Sequence, residues 1–286
     1  MSAPRKPEGS PMADIDDAVR VFGDFYKYRE FPAAFDKQAW NRLEDTLVKE
    51  EVWFPAPGTL NDPYDCSPHI DTLGTPEEVR QKAEDLLVEI QRGRGDVITP
   101  AIRRRPSFQQ AVSELVEGLR VRNYRLRTLL EVIDQNTGVY CMSRRNNSIL
   151  QWSYYGGGHS GLCLEFSVSK ASKPPFDQVV AVEYVNDRVS FDLFDVIGPN
   201  NRNVLWPMVR KKFRDWDHEE EVRAFVPTPG LRKFVPHALT GIVFGTKTTD
   251  ANKAWVQERI DKGGIKVKYY QAIQSFTHFE LEVRPA

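Results

Sequence analysis

Lys212-Phe-Arg-Asp-Trp216-Asp-His-Glu219-Glu-Glu221-Val-Arg223 constrains the fold of this chain more than any other stretch. It reads as a helix running into a strand, and the strand carries charge where strands usually carry little. Side chains alternate along an extended chain. Val222, Ala224 and Val226 therefore share one face, while Glu219, Glu221, Arg223 and Phe225 share the other. The first face is core. The second sets two carboxylates and a guanidinium within two strand steps, beside an aromatic ring able to shield them. Carboxylates this close repel unless a cation or a substrate compensates, and such crowding shifts pKa values. Two readings are open at this point: a solvated face whose Glu and Arg pair across the ladder, or one wall of a site.

A chain of 286 residues can bury a substantial core in one large domain or two small ones. The net charge of -1 gives no global pull toward nucleic acid or an anionic membrane. No apolar run approaches the roughly 20 residues that a spanning helix needs, so no membrane partner is expected. Residues 1–14 mix Pro, Ser, Gly and charge without an apolar stretch, which predicts a disordered leader rather than a signal peptide. Cys66, Cys141 and Cys163 are odd in number and widely spaced, which argues for a reducing, cytoplasmic setting over a disulfide framework.

The periodicity predicts an α+β fold: a twisted, mixed or mostly antiparallel sheet with flanking helices and a helical insertion. Residues 15–286 are expected to form a single domain, with the helical subdomain at about 75–135. Strands are expected near Phe25–Phe31, Glu51–Ala56, Val139–Ser143, Gly161–Ser167, Val179–Val185, Leu239–Phe244, Ile265–Tyr270 and His278–Arg284. Thr75-Pro76-Glu77-Glu78 opens a helix with a cap, Pro at the first position and acids in the first turn. Its apolar stripe is Val79, Ala83, Leu86, Leu87 and Ile90.

Nine arginines fall between Arg92 and Arg127 against Asp96, Glu114 and Glu117. This is either a phosphate-facing patch for nucleic acid or, more simply, a solvated helical surface. No P-loop or Gly-x-Ser-x-Gly elbow is present, and no His or Cys pair has zinc spacing. His159 follows three glycines beside Trp152 and Tyr155, where a glycine run lets a ligand approach the backbone. Asp62 and Asp65 lie in Asn61-Asp-Pro-Tyr-Asp65, a loop suited to a divalent cation and, more often, to Asx-turn bonding. That loop is expected to border the site.

Three segments resemble the bacterial family catalogued as domain of unknown function 2971. They are Pro57-Gly-Thr-Leu-Asn-Asp-Pro-Tyr-Asp65; Val139–Ser143 through Trp152-Ser-Tyr-Tyr155 to Gly161–Phe166; and the Lys212, Trp216, Glu219, Glu221, Arg223 set, with Tyr28-Arg29 near the start. More weakly, the chain resembles the ADP-ribosyltransferase superfamily, in which an early strand supplies Arg or His, a middle strand Ser or an aromatic, and a late strand Glu. That resemblance implies an NAD-consuming enzyme or a degenerate relative of one, of the kind that serves as a defence or toxin effector in bacterial conflict. It implies catalytic roles for Glu221, Glu219 and Arg29, and substrate contacts from Tyr28, Ser143, Trp152 and Tyr155; to these the glycine run adds His159 and the charged strand face adds Arg223. NAD would be substrate rather than a tightly bound cofactor, no metal would be needed, and the partner would be a nucleotide-like small molecule. Two other readings stand beside it. One is a metal-dependent nucleic-acid-processing enzyme gripping phosphates through the Arg-rich 92–127 region. The other is a non-catalytic nucleotide-binding sensor or interaction module.

Overall fold

Leu162-Cys-Leu-Glu-Phe-Ser-Val168 places Leu162, Leu164, Phe166 and Val168 on one face, and all four are buried. Strands of this kind organise the molecule. The computed structural model describes residues 19–71, 74–120, 131, 133–192, 194 and 207–286. The expected leader at 1–14 lies outside the described residues, as do 121–130 of the Arg-rich region.

In chain order the strands are β1 (Gly23–Arg29), β2 (Glu51–Phe54), β3 (His69–Asp71), β4 (Gly138–Ser143), β5 (Leu162–Val168), β6 (Val179–Ala181) and β7 (Glu183–Val185). Then come β8 (Ser190–Asp192), β9 (Lys211–Phe213), β10 (Glu221–Val226), β11 (Gly230–Lys233), β12 (Leu239–Phe244), β13 (Lys268–Gln274) and β14 (Leu281–Pro285). Eight of them form one sheet in the order β14-β13-β12-β5-β1-β4-β10-β6. Neighbours in it are antiparallel except β12 and β13, which run parallel. A parallel pair needs a crossover, and the helix Asp250–Gly263 supplies it. Thr249 caps its start, and Gly264 closes its end in the left-handed region at φ 66°. The fold is α+β, as the periodicity predicts.

One face of the sheet carries the main core, in which Phe25, Tyr140, Met142, Phe166, Val222 and Ala224 pack with Val256 and Ile260 of that helix. The other face holds two smaller clusters. Phe225, Val139 and Val180 meet Met208, Val209 and Cys66 near β10. Tyr28, Trp152, Cys163 and Val243 meet farther along the sheet. The helices Pro76–Gly93 and Pro106–Arg120 pack on each other through Val79, Ala83, Leu86, Phe108 and Val112. Thr75 and Glu78 form the reciprocal capping box at the start of the first.

Three local expectations are corrected. Lys211–Phe213 is a short strand followed by a 3-10 turn at Arg214–Glu219, where a helix was expected. Glu219 at the end of that turn bonds Lys212, and the Trp216 ring lies 5.0 Å from the Lys212 nitrogen. The strand expected at Val179–Val185 divides at Val182, so that β6 joins the main sheet and β7 pairs with β9. Most importantly, every residue of β10 is buried. Its charged face is not solvated; it lies beneath a second layer built from Met208, Val209 and the turn at Asp65-Cys66.

The sheet also has a seam. β1 pairs with β5 at seven successive positions, Gly23 to Arg29, but with β4 at Tyr26↔Ser143. Beyond that pair the two strands part, and the cleft described next enters between them.

Candidate functional site

A cleft of about 640 Å³ opens at this seam, within the size range of small-molecule sites. Because β1 and β4 separate, consecutive residues from both strands line it, Tyr26 to Arg29 on one side and Val139 to Ser143 on the other. Strand alternation alone would send Lys27 and Arg29 to the face opposite Tyr26 and Tyr28. The parted seam lets both sets reach the same cavity. Trp53 of β2, the turn around Asn61, Tyr155, and the acids Asp65, Glu219 and Glu221 complete the walls.

The acidic wall is a closed network of charges. Glu219 leaves the 3-10 turn and Glu221 begins β10. Between them Glu220 adopts a left-handed conformation at φ 45°. Lys212 Nζ donates to Glu219 Oε2 at 2.5 Å and to Glu221 Oε2 at 2.9 Å, and it lies 3.8 Å from Asp65 Oδ2. Arg223 donates through Nε to Glu221 Oε1 at 2.7 Å and through a terminal nitrogen to Asp65 Oδ2 at 2.7 Å. Its other terminal nitrogen donates to Val209 O at 2.7 Å. Three carboxylates thus share two cations, and all five side chains are buried. The Lys212 ammonium occupies the position between the three carboxylates that a divalent cation would need.

Burial alone disfavours ionisation of Glu221, but Arg223 and Lys212 outweigh it and hold the carboxyl well below its ordinary range. Burial likewise works against the Lys212 ammonium, and Glu221, Glu219 and Asp65 reverse that and raise its pKa. These shifts predict the pH dependence of stability. The depressed Glu221 pKa contributes stability above the unfolded carboxylate value, about 4.3, and that contribution is lost as pH falls below it. The raised Lys212 pKa contributes stability below the unfolded lysine value, about 10.4, and that contribution is lost as pH rises beyond it. Melting temperature should therefore plateau between roughly pH 5 and 10 and fall on both sides. A melting temperature that climbs as the acids are protonated would contradict this assignment.

Tyr155 joins the network to the cleft. Its hydroxyl donates to Glu219 Oε1 at 2.7 Å and accepts from Asn61 Nδ2 at 3.1 Å. Asn61 thereby ties the 57–65 loop to the site, and that loop borders the cleft. Asp62 Oδ1 accepts from the Tyr64 backbone at 2.8 Å, an Asx turn. Asp65 is drawn into the ion network instead. On the opposite side, Arg42 lies over the Trp53 ring at 4.2 Å. Among the described residues neither Arg29 nor Arg42 has a carboxylate partner, so the cleft presents two guanidiniums without counter-ions.

Of the side chains expected at the site, Tyr28, Arg29, Ser143, Tyr155, Glu219 and Glu221 line this one cleft. Two of them are already engaged. The Tyr28 hydroxyl donates to Arg145 O at 2.7 Å, and Ser143 Oγ donates to Glu219 O at 2.8 Å while accepting from Gln151 Nε2. Trp152, His159 and Arg223 do not line the cleft. Trp152 is fully buried, edge-on to Tyr28, with its indole N–H donating to Asn146 O at 2.9 Å, so it has no open face for a ligand ring. His159 stacks on the other side of Trp152 and meets Ser153 Oγ at 3.1 Å. Arg223 is 0% exposed and enclosed by its own partners. Sequence reasoning passed over Lys212, Lys27, Arg42 and Trp53. For Lys212 a signal existed, since it opens the charged stretch. Lys27 was hidden by the alternation that the seam overrides.

No family model, curated protein or solved structure matches the chain.

Proposed function

We propose that the cleft binds a nucleotide-like molecule and that the chain is an NAD-consuming enzyme of the ADP-ribosyltransferase kind. One observation carries this reading: a single cleft holds the guanidiniums of Arg29 and Arg42, which have no carboxylate partner among the described residues, together with the Glu219 carboxylate that Tyr155 and Asn61 orient. Guanidiniums without counter-ions in a cleft suit the oxygens of a pyrophosphate, which they can hold bidentately. A carboxylate held by a tyrosine and an ammonium suits a ribose hydroxyl. It also stabilises the positive charge that develops on the ribose as the bond to nicotinamide breaks. Trp53, which also lines the cleft, supplies an aromatic ring for a base.

Within this reading Glu219 and Glu221 divide the work. Both oxygens of Glu221 are held by cations, which makes it the support of the network. Glu219 reaches the cleft through its bond to Tyr155, which makes it the carboxylate for the substrate. A metal-dependent reading draws less support, because Lys212 already takes the cation position among Asp65, Glu219 and Glu221.

Calorimetry with NAD and with ADP-ribose tests the binding half of the proposal. Among the described residues Arg29 has no carboxylate partner, so Arg29→Gln should leave folding nearly unaffected. Affinity for ADP-ribose should fall by about 10- to 100-fold, the value of one charged hydrogen-bonding pair. An unchanged affinity would place the diphosphate elsewhere.

A further inference from the structure

β14 closes one end of the main sheet and, among the described residues, pairs on one side only, with β13. The ladder fixes which way its backbone groups point. The Ser275 N–H donates to Glu280 O at 3.1 Å, and the Ala286 N–H donates to Tyr269 O at 3.0 Å. In an antiparallel pair such bonds recur at every second residue. Glu280, Glu282, Arg284 and Ala286 therefore turn their backbone groups toward β13, while Leu281, Val283 and Pro285 turn theirs outward. Among the described residues that outward row meets no strand. Glu282 and Arg284 share one face of β14, with Arg284 Nε donating to Glu282 Oε2 at 3.0 Å, and both side chains reach solvent. At the tip of the same hairpin Phe276 and Phe279 are fully exposed, although such rings ordinarily gain by burial. An open edge with apolar residues beside it is a template for another strand.

We propose that β14 pairs with β14 of a second copy of this chain, antiparallel about a two-fold axis at Val283, so that two main sheets become one. A self-complementary edge of this kind gives a closed dimer. Across the axis Val283 meets Val283 of the second copy and exchanges both backbone bonds with it. Leu281 meets Pro285, whose carbonyl accepts although it has no N–H to give. Glu282 meets Arg284. That last pair falls between hydrogen-bonded pairs, where opposed side chains come closest, and the symmetry makes it twice. Unlike charges directly opposed stabilise a ladder, and like charges weaken it. The register follows from this rule. Moving the axis one residue toward Glu282 sets Glu282 against its own copy, and moving it one residue toward Arg284 sets Arg284 against its own copy. Charges that would hold the edges apart in those registers draw them together about Val283. Phe276 and Phe279 then come alongside the far end of the second copy's strand, beside its Pro285 and Ala286, and lose contact with water there. The dimer is independent of the reading of the cleft, since no residue of β14 lines it.

Sedimentation equilibrium of the full chain over a range of concentrations tests the dimer. The wild-type protein should associate to twice the chain mass; a monomer at every concentration overturns the proposal. Glu282→Arg and Arg284→Glu each set like charges opposite one another, so each should weaken dimerisation by about 10- to 100-fold. Both side chains lie at the surface, and melting temperatures check that the variants fold. Combining the two substitutions exchanges the charges and should restore the wild-type dissociation constant. Single variants that dimerise as tightly as wild type, or a combined variant as weak as the singles, overturn the pairing. Val283→Pro separates the backbone bonds from the charges. It removes an outward N–H and leaves the bonds to β13 in place, so the variant should melt near the wild-type temperature and sediment as a monomer. A Val283→Pro protein that melts like wild type and still dimerises overturns the proposal.

Discussion

Arg223→Met is expected to destabilise the protein by about 3–5 kcal/mol, the usual result of breaking a buried ion network by removing one partner. Arg223 is fully buried and donates to Glu221, Asp65 and the Val209 carbonyl at once. Methionine fills much of the volume but leaves three carboxylates to share Lys212. Lysine at the same position should fare little better, because an ammonium cannot reproduce the fork that spans Glu221 and Asp65. Chemical denaturation of both variants measures the loss. A cost below about 1 kcal/mol would mean that the network tolerates an unpaired carboxylate, against the expectation for buried charge.

Glu219→Gln carries the largest expected effect on activity. Turnover of NAD should fall by about 10²–10³-fold, the loss typical of one preorganised electrostatic group. Stability should change far less than in Arg223→Met, because Lys212 retains Glu221 and lies near Asp65, while glutamine can still accept from Tyr155. Glu221→Gln should behave in the opposite manner. It removes the carboxylate that both Lys212 and Arg223 use, so melting temperature should drop and activity should follow it down. Measuring both quantities on both variants separates the carboxylate that meets substrate from the one that holds the wall. If Glu219→Gln melts far below wild type and Glu221→Gln does not, the roles are reversed.

The fold class and the place of most strands were legible because strand periodicity survives in sequence. Val139–Ser143, Gly161–Ser167 and Leu239–Phe244 all read as strands and are strands to within a residue or so. The charged face of β10 read from sequence either as a solvated strand face or as one wall of a site, and its burial was not legible. The layer that covers it comes from Asp65, Cys66, Met208 and Val209, which lie far from β10 or in a different element. Lys212 was visible as a charge, yet its three carboxylate neighbours converge only when β9, the 3-10 turn and the 57–65 loop are brought together. Trp152 misled because an aromatic beside a glycine turn reads equally as a ligand platform or as core. The deciding fact, its packing against Tyr28, is a long-range contact. Arg223 misled in the same way. A charged residue on a strand face suggests a ligand, and only the structure shows that its partners are already in place.

Release of nicotinamide from NAD by the wild-type protein and by Glu219→Gln tests the central claim most directly. The account predicts continuing release by the wild-type protein and about 10²–10³-fold less by the variant, with both proteins folded at the assay temperature. No release by the wild-type protein, together with no binding of ADP-ribose, would contradict it.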